Sequence, residues 1–410
     1  MATMAPKASK RRSPGEGSVW AYRERNGTER WAIGHPNFGT RRRGPNGEKW
    51  FTKKAAQDAL RAKLVDASRG NLIEPSRQPT GDYLEEWLHG LRLAPSTVAS
   101  YRKNVRLHIR PRIGSVPLNA LTTERIDALY RELERSGRAD HREGEGLSPR
   151  TVRYVATILS AALAAAVKSR PPRLAHNPAS AATPPSAKEA RPPEIHPWNA
   201  RQLAAFGEWA REHADNYALW HTLAMTGARR GEALALRWRD IDLDAATVSI
   251  RRSAGMIRNA GESAAVVEGT TKSGKPRVVD LDAATVAVLR SRKRDRGELA
   301  LQLARPDALV FGDIEGQHRN PEHVSRQFAR DVERCRQAIG AGLLPVIRLH
   351  DLRHTHATLL LAKGVPVKVV SERLGHASPT ITLTVYAHVM PGNQRDAADL
   401  FAELIKAAKA

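Results

Sequence analysis

Apolar side chains recur at every third or fourth position through most of the chain, the spacing that gives a helix one buried face. This pattern predicts helices over residues 53–68, 82–91, 95–109, 199–213, 217–225, 231–236 and 395–408, and two more that begin after Thr122 and Ser148. Alternating or β-branched runs predict short strands over residues 18–23, 30–34, 49–52, 247–251, 269–272 and 276–281. We therefore expect a mainly helical protein with two small sheets.

Local signals define several of these boundaries. Asn26-Gly27 separates the first two strand runs and is typical of a tight hairpin turn, because both residue types tolerate positive φ. Thr52 and Ser148 are suited to cap the helices that follow them. Pro111 and Gly114 are expected to end the helix that starts at residue 95, because proline lacks the N–H that a helix interior needs.

Proline marks the main boundary of the chain. Eight of its 25 prolines lie within residues 171–197, a density that favours an extended tether over a packed element. The fold class that we expect is multidomain α+β. Its parts are a disordered tail with a basic domain of three strands and a helix (1–75), an all-helical domain (76–182), a proline-rich linker (183–194) and a mainly helical domain with a small sheet (195–410).

Composition adds a strong positive charge to this picture. Lysine and arginine number 66 against 43 acidic residues, a formal net charge of +23. Such a surface usually binds a polyanion, and we expect nucleic acid rather than an anionic membrane. Arg41, Arg42 and Arg43 form a dense positive tip in the most basic segment. They are candidate DNA-binding residues, since a three-stranded sheet can place such side chains in a major groove.

The composition also excludes several classes of protein. The one cysteine, Cys335, rules out an internal disulfide and a cysteine-based zinc site. No stretch approaches the ~20 apolar residues of a membrane span, and the basic N-terminus lacks the apolar core of a secretory signal. The sequence therefore predicts a cytoplasmic protein with no membrane partner.

Six residues suited to phosphate chemistry are spread, in a fixed order, along the last segment. They are Arg229, Lys272, His350, Arg353, His376 and Tyr386. The words TGARRGEALALRWRDID, HDLRHTHATLLLAKG and LGHASPTITLTVYAHV around them strongly resemble motifs of the tyrosine recombinases, the family typified by phage lambda integrase. The helical segment is similar to the core-type DNA-binding domain of that family, and the first segment more loosely to the arm-type domain of phage and conjugative-element integrases.

The chemistry of phosphodiester exchange explains these residue types independently. It needs a nucleophile, cations at the non-bridging oxygens and a proton donor for the leaving oxygen. Guanidinium groups suit the second task, because they stay charged and bind two oxygens at once. The resemblance implies that Tyr386 is the nucleophile, that Arg229 and Arg353 clamp the phosphate, and that Lys272 is the general acid. No cofactor is implied, since the phosphotyrosine retains the energy of the broken bond.

The remaining roles follow from the same resemblance. It implies that His350 assists Tyr386 as general base and that His376 hydrogen-bonds a phosphate oxygen. Glu232 lies three residues after Arg229 on one helical face, and we expect it to position that arginine.

Some assignments have competitors. Lys275 lies in the same predicted hairpin tip as Lys272, although Lys272 is preferred as the acid. Asp351 is interpreted as a structural helix cap. Five histidines between residues 350 and 388 make a metal site conceivable, but the HExxH pattern and paired carboxylates at ligand spacing are both missing from the sequence, so no metal is expected.

The resemblance implies a site-specific DNA recombinase, an integrase of a phage or mobile element. The alternatives are a non-catalytic DNA-binding regulator on the same scaffold, which would usually lack an arginine or the tyrosine, and a type IB topoisomerase-like strand transferase. The implied partners are double-stranded DNA with core-type and arm-type sites, a homotetramer on DNA, and an accessory DNA-bending or directionality protein. The last predicted helix, 395–408, could dock on a neighbouring protomer or pack on its own domain, and the sequence leaves both open.

Overall fold

The structure is a computed structural model, which describes residues 17–35, 39–44, 47–68, 78–138, 145–191, 196–257, 264–272, 274–387 and 394–407. The chain divides into two units, residues 1–192 and 193–410. The predicted N-terminal tail (1–16) and part of the predicted linker (192–194) lie outside the described residues.

A small antiparallel sheet begins the first unit. Its strands are β1 (Ser18–Arg23), β2 (Glu29–His35) and β3 (Gly39–Arg41), in that order across the sheet. Gly27 adopts φ +82° in the turn between β1 and β2, as the Asn-Gly pair predicts. The predicted strand at 49–52 is wrong, because β3 occupies the edge of β2 from Ile33 onward and leaves Trp50 only an isolated bridge to Trp31.

One helix covers this sheet. α1 (Lys53–Ser68) has the predicted bounds, and Thr52 Oγ1 accepts a hydrogen bond from the Ala55 amide at 3.2 Å. Ile33, Trp50, Ala56 and Leu60 form the shared core. Arg41 ends β3, and the exposed Arg42 lies with its guanidinium 4.9 Å from the ring centroid of Tyr22.

The rest of the first unit is helical. Its helices are α2 (Thr80–His89), α3 (Pro95–Asn104), α4 (Arg110–Ile113), α5 (Thr123–Ser136) and α6 (Pro149–Lys168), with 3₁₀ turns at Leu118–Ala120 and Pro178–Ser180. Thr122 and Ser148 cap α5 and α6, which confirms both predicted starts. The end predicted at about residue 109 is four residues too early, whereas Gly114 ends the helix as expected. A π-helical turn, Val105–Ile109, joins α3 to α4, and its wider hydrogen-bond spacing accommodates Pro111.

The apolar helix α6 forms the centre of this unit. By length and composition it could cross a membrane, contrary to the expectation that no segment would. However, Val155, Ile158, Leu159 and Leu163 on this helix are fully buried against the other helices. α6 therefore has the character of a core helix.

The second unit contains most of the helices. They are α7 (Ala200–His213), α8 (Tyr217–Thr226), α9 (Arg230–Leu234), α10 (Ala283–Leu299), α11 (Pro321–Ile339), α12 (Asp351–Ala362), α13 (Val367–Leu374), α14 (Pro379–Tyr386) and α15 (Gln394–Ala407). 3₁₀ turns lie at Trp238–Asp240 and Leu301–Ala304. The predicted elements do not include α10, α11, α13 or α14, and they give no bounds for α12.

Two small sheets complete the second unit. One is ordered β4-β5-β8, from β4 (Ile241–Asp242), β5 (Thr247–Ile250) and β8 (Arg277–Asp280), and the other pairs β6 (Arg252–Ile257) with β7 (Ala265–Thr270). The β6–β7 hairpin was not predicted, and the predicted strand 269–272 is the end of β7 and the start of a turn.

An aromatic core supports these elements. Trp198, Trp220 and Phe328 are almost fully buried together. Trp198 Nε1 donates to the Pro345 carbonyl at 2.8 Å, and Trp220 Nε1 donates to Asp331 at 3.0 Å, so both indole N–H groups are satisfied. A separate cluster around Leu361 and Leu374 lies beneath the last turn of α14. That cluster supports the candidate nucleophile.

Candidate active site

Two helix ends hold the two candidate clamp arginines. Gly227 ends α8 with φ +63°, and its carbonyl accepts a hydrogen bond from Arg353 Nη1 at 2.7 Å. Gly375 ends α13 with φ +68°, and its carbonyl accepts from Arg229 Nη2 at 3.3 Å. Because the C-terminus of a helix carries partial negative charge, both contacts favour a cation.

Both glycines are required by space as well as by conformation. A Cβ atom at Gly227 would lie 2.8 Å from the side chains of His356 and Leu374. A Cβ atom at Gly375 would lie 2.7 Å from the guanidinium of Arg277. Any other residue would therefore be strained and crowded at either position.

A buried carboxylate holds Arg229 from the other side. Glu232 is 1% exposed and accepts from Arg229 Nη1 at 2.7 Å and from the Arg229 amide at 2.9 Å. It also accepts from Arg277 at 2.7 and 3.2 Å. Burial raises the pKa of Glu232, but the hydrogen bond from Arg277 and the charges of Arg277 and Arg229 together hold it below the usual range. Glu232 therefore remains an anion between two cations.

Arg277, a residue that no sequence motif singles out, links three parts of the site. Besides Glu232, it reaches the Arg373 carbonyl through Nε at 2.9 Å. Arg277 lies in β8 and its partners lie in α9 and α13, so their proximity arises only from tertiary structure. In the sequence it is one basic residue among 66.

Arg353 is the most buried of the candidate cations. It is 3% exposed, and burial together with Arg229 lowers its pKa, although a guanidinium stays protonated at neutral pH. Its Nη2 atom is buried and, within the described part of the chain, has no hydrogen-bond partner. A buried, unsatisfied cationic donor fits an anion such as a phosphate.

Tyr386 is the last residue of α14 and is only 3% exposed. Its ring packs in the cluster of Leu361 and Leu374, and burial raises its pKa to about 12. The hydroxyl oxygen lies 2.6 Å from Nδ1 of His354, a residue that the sequence analysis had not selected. The signal available was the HDLRHTH motif itself, in which several histidines compete for the same role.

The two selected histidines lie close to the arginines. His350 precedes His354 by one turn, and their rings meet edge to face with centroids 5.2 Å apart. Burial, His354 and Arg353 lower the pKa of His350 to about 4. His376 lies after Gly375 with Nδ1 2.8 Å from Thr382 Oγ1, and burial together with Arg353 and Arg229 lowers its pKa to about 4. Both imidazoles are therefore neutral near pH 7.

The two competing lysines lie in a turn between β7 and β8. Thr271 Oγ1 donates to the Lys275 carbonyl at 3.0 Å and so closes this turn. Lys272 and Lys275 are both exposed, and in the described residues neither contacts the arginine pair. The structure thus brings five of the six selected residues together and leaves Lys272 on a projecting turn.

Asp351 and the histidines were the two alternative candidates from the sequence. Asp351 accepts hydrogen bonds from the Arg348 amide at 2.8 Å and from its guanidinium at 2.9 and 3.1 Å, which places it in an ion pair at the start of α12. Across the described ranges, no three His, Cys, Asp or Glu side chains are grouped to hold a metal ion.

Comparison with known proteins adds relatives along most of the chain. The model of the phage integrase family matches residues 195–392, and that of the phage integrase N-terminal SAM-like domain matches residues 81–133. A tyrosine recombinase XerC-like protein of Caldanaerobacter subterraneus is 23% identical over 86% of this chain and 90% of its own length. The integrase of Mycobacterium phage D29 is 26% identical over 88% and 90%.

Solved structures share the fold. The Tn1549 transposon integrase, in complex with a circular intermediate DNA, superposes with a TM-score of 0.64 at 18% identity, over 78% of this chain and 98% of that chain. A lambda integrase tetramer bound to a Holliday junction superposes with a TM-score of 0.55 at 17% identity, over 92% and 96%. With both family models matched in order and curated relatives aligned over most of its length, the chain belongs to the phage integrase family, that of the tyrosine recombinases.

Proposed function

We propose that the protein is a site-specific DNA recombinase that cleaves and rejoins strands through a 3′-phosphotyrosine, and so integrates or excises a mobile element. The observation that carries this proposal is that Tyr386 lies within electrostatic range of Arg353, whose buried Nη2 lacks a partner in the described residues. A nucleophile and an unsatisfied phosphate-binding cation thus share one site within the family's catalytic segment.

The chemistry assigns each side chain a task. The Tyr386 oxygen attacks phosphorus while Arg229 and Arg353 neutralise the non-bridging oxygens. Lys272, carried by its turn to the DNA, protonates the 5′-oxygen as it leaves. The new phosphotyrosine preserves the bond energy, so a 5′-hydroxyl can reverse the step without ATP.

Two histidines and Glu232 support this reaction. His376 donates a hydrogen bond to a phosphate oxygen, and the ring of His350 lies against His354, which contacts the Tyr386 hydroxyl. Glu232 fixes the position of Arg229 through two hydrogen bonds, of which one is an ion pair.

We also propose the division of labour along the chain. Residues 1–75 bind arm-type DNA, with Arg41, Arg42 and Arg43 at the contact surface, and residues 76–182 bind core-type sites. Residues 183–194 link them to the catalytic domain at 195–410. Support comes from the SAM-like match within the second segment and the exposed Arg42 and Arg43 beyond β3.

The working form is a cytoplasmic homotetramer on two duplexes, with an accessory DNA-bending or directionality protein. α15 exposes Phe401, Leu404 and Ile405, an apolar set that suits protein contact. The tetrameric lambda integrase shares the fold.

The decisive experiment traps the covalent intermediate. Purified protein is mixed with a nicked duplex that carries the element's own core site, and adducts are resolved by denaturing electrophoresis. We expect a 3′-linked adduct for the wild type and none for Tyr386→Phe, with equal DNA binding. A wild type that binds this DNA yet forms no adduct would leave the non-catalytic regulator as the better description.

A deletion tests the first segment. Removal of residues 1–75 should weaken binding to arm-type DNA and preserve adduct formation on an isolated core site. Loss of core-site cleavage by a folded deletion protein would contradict the proposed division of labour.

A further inference from the structure

We propose that His354 is the catalytic base that receives the Tyr386 proton, a role that the family resemblance had given to His350. This inference rests on the proposed recombinase function and adds a catalytic residue to it. The juxtaposition that carries it is the 2.6 Å contact between His354 Nδ1 and the Tyr386 hydroxyl oxygen.

The geometry separates the two histidines. Both lie at the start of α12, one helical turn apart, and their rings meet edge to face. His354 also contacts the Tyr386 ring, with centroids 5.6 Å apart. Among the described residues, the hydroxyl of Tyr386 has no other hydrogen-bonding side chain. The atom of a base must lie within about 2.6–3.2 Å of the oxygen whose proton it takes, and His354 Nδ1 meets this condition.

The protonation states suit the transfer. Burial raises the pKa of Tyr386 to about 12, so the hydroxyl keeps its proton until a base removes it. Burial lowers the pKa of His354, so its ring is neutral and, with hydrogen on Nε2, its Nδ1 lone pair can accept. Free phenolate is therefore not required at neutral pH.

Charged neighbours act on the resulting imidazolium from both sides. The carboxylate of Asp351 raises the pKa of His354, while Arg353 and Arg348 lower it. The other titratable groups facing it are His350 on its own helix, His376 from the α13–α14 connection and Tyr386 on α14. The bound phosphate would add negative charge opposite Arg353, which favours the protonated form of His354 during the reaction.

The step balances as a transesterification. The O–H bond of Tyr386 breaks and its proton moves to His354 Nδ1 as the bond from the tyrosine oxygen to phosphorus forms. The bond from phosphorus to the 5′-oxygen breaks, and Lys272 protonates that oxygen. In the reverse step, His354 returns its proton to the departing tyrosine oxygen.

Two reactions of the full-length protein distinguish this role from a structural one. The first is adduct formation on the nicked core-site duplex. The second is ligation of a strand ending in a 3′-p-nitrophenyl phosphate, whose leaving group departs without a proton and replaces the phosphotyrosine. His354→Asn and His354→Ala are compared with His350→Ala in both. Asparagine can still hydrogen-bond near the Nδ1 position but cannot take up a proton.

We expect both His354 variants to form adduct about 100-fold more slowly than the wild type. They should ligate the activated strand within about threefold of the wild-type rate, because that leaving group needs no acid. The adduct rate of the wild type should rise with pH through the pKa of the base, and this limb should disappear in His354→Asn. DNA binding and circular dichroism confirm that each variant is folded.

Other results would overturn the inference. Wild-type adduct rates for His354→Asn would show that the hydrogen bond only positions the tyrosine. Equal losses in both reactions would show a structural role, and a selective loss of adduct formation in His350→Ala alone would return the role to His350. A wild-type protein that makes no adduct would instead refute the proposed recombinase function.

Discussion

Glu232 and Arg277 form a two-point ion pair in the interior of the second unit, with nitrogen–oxygen distances of 2.7 and 3.2 Å. Their side chains are 0% and 8% exposed, and the same carboxylate binds Arg229. The clamp residue Arg229 therefore depends, through Glu232, on Arg277 in β8, which lies 45 positions after Glu232 in the sequence.

Glu232→Gln should destabilise the protein and slow cleavage. The change leaves two guanidiniums facing a neutral group, and loss of one partner of a buried pair typically costs about 3 kcal/mol. We expect the unfolding free energy to fall by that order and adduct formation to slow at least about tenfold, since Arg229 loses its support. Glu333→Gln is the control, because its carboxylate pairs with Arg336 on the surface and should change stability by under about 0.5 kcal/mol.

Arg277→Lys should keep the positive charge but lose the bidentate contact with the Glu232 carboxylate. A lysine cannot bind both carboxylate oxygens and also reach the Arg373 carbonyl, so Arg229 and the end of α13 become less well positioned. The rate of adduct formation should fall about tenfold with little change in DNA affinity. The exposed Arg290, paired with Asp244, serves as control, and Arg290→Lys should cleave normally. A normal rate for Arg277→Lys would mean that charge alone suffices.

Gly227→Ala should be strongly destabilising. The left-handed backbone costs a non-glycine residue about 1 kcal/mol or more, and the new Cβ atom would press on His356 and Leu374 at 2.8 Å. Gly207→Ala is the matched control, because that glycine lies inside α7 with nothing within 4 Å of a new Cβ. It should stabilise the protein by about 0.5–1 kcal/mol. Denaturant midpoints of the two variants should therefore move in opposite directions.

Acid should weaken the fold through His356. Its Nδ1 donates to the Ala224 carbonyl at 2.9 Å and its Nε2 accepts from Arg373 at 3.0 Å, an arrangement that requires the neutral ring. Burial and the charge of Arg373 lower its pKa to about 4, below the value of about 6.5 expected in the unfolded chain. The unfolded state therefore binds more protons in this window, and the stability present above about pH 6.5 is lost as the pH falls toward 4.

The slope from one such residue approaches about 1.4 kcal/mol per pH unit. His356→Gln cannot titrate and should flatten part of the dependence of the unfolding free energy on pH. An unchanged slope between pH 4 and 6.5 would remove His356 from this account.

Lys272→Ala should slow cleavage by about 100-fold if Lys272 is the general acid. A substrate whose 5′-oxygen is replaced by sulfur should restore the rate, because a thiolate leaves without a proton. Lys275→Ala, in the same exposed turn, should behave like the wild type on both substrates. If Lys275→Ala were instead the slow variant that the 5′-sulfur substrate restores, Lys275 rather than Lys272 would be the general acid.

Local patterns were sufficient for elements whose signals lie within a few residues. α1 has its predicted bounds, and the caps at Thr122 and Ser148 start α5 and α6 as expected. The third strand of the first sheet was misplaced, because the pairing of β2 is decided by competition between two segments for one edge. The helix through Pro111 is longer than predicted, because a π-helical turn leaves no signal in residue type alone.

The site residues also divide into those that a local motif predicts and those that depend on tertiary contacts. Motif order predicts Tyr386 and the two clamp arginines as site residues, whereas the contacts of Arg277 and His354 depend on side chains from distant elements. Glu232 could be selected because its partner lies only three residues away on the same turn. Which histidine faces the hydroxyl depends on how α14 approaches α12, and spacing within the motif does not contain that information.

The carbonyl groups that receive the two arginines belong to Gly227 and Gly375, so main-chain atoms hold both guanidinium groups of the clamp, in addition to the Glu232 carboxylate that binds Arg229. The dimensions of the clamp depend on where two helices stop and on the left-handed turn at each end. Exposed positions on those helices, such as Met225 and Val369, can therefore change during divergence without moving the guanidinium groups. A chain built in this way can lose most of its resemblance to its relatives while the geometry around the reacting phosphate persists.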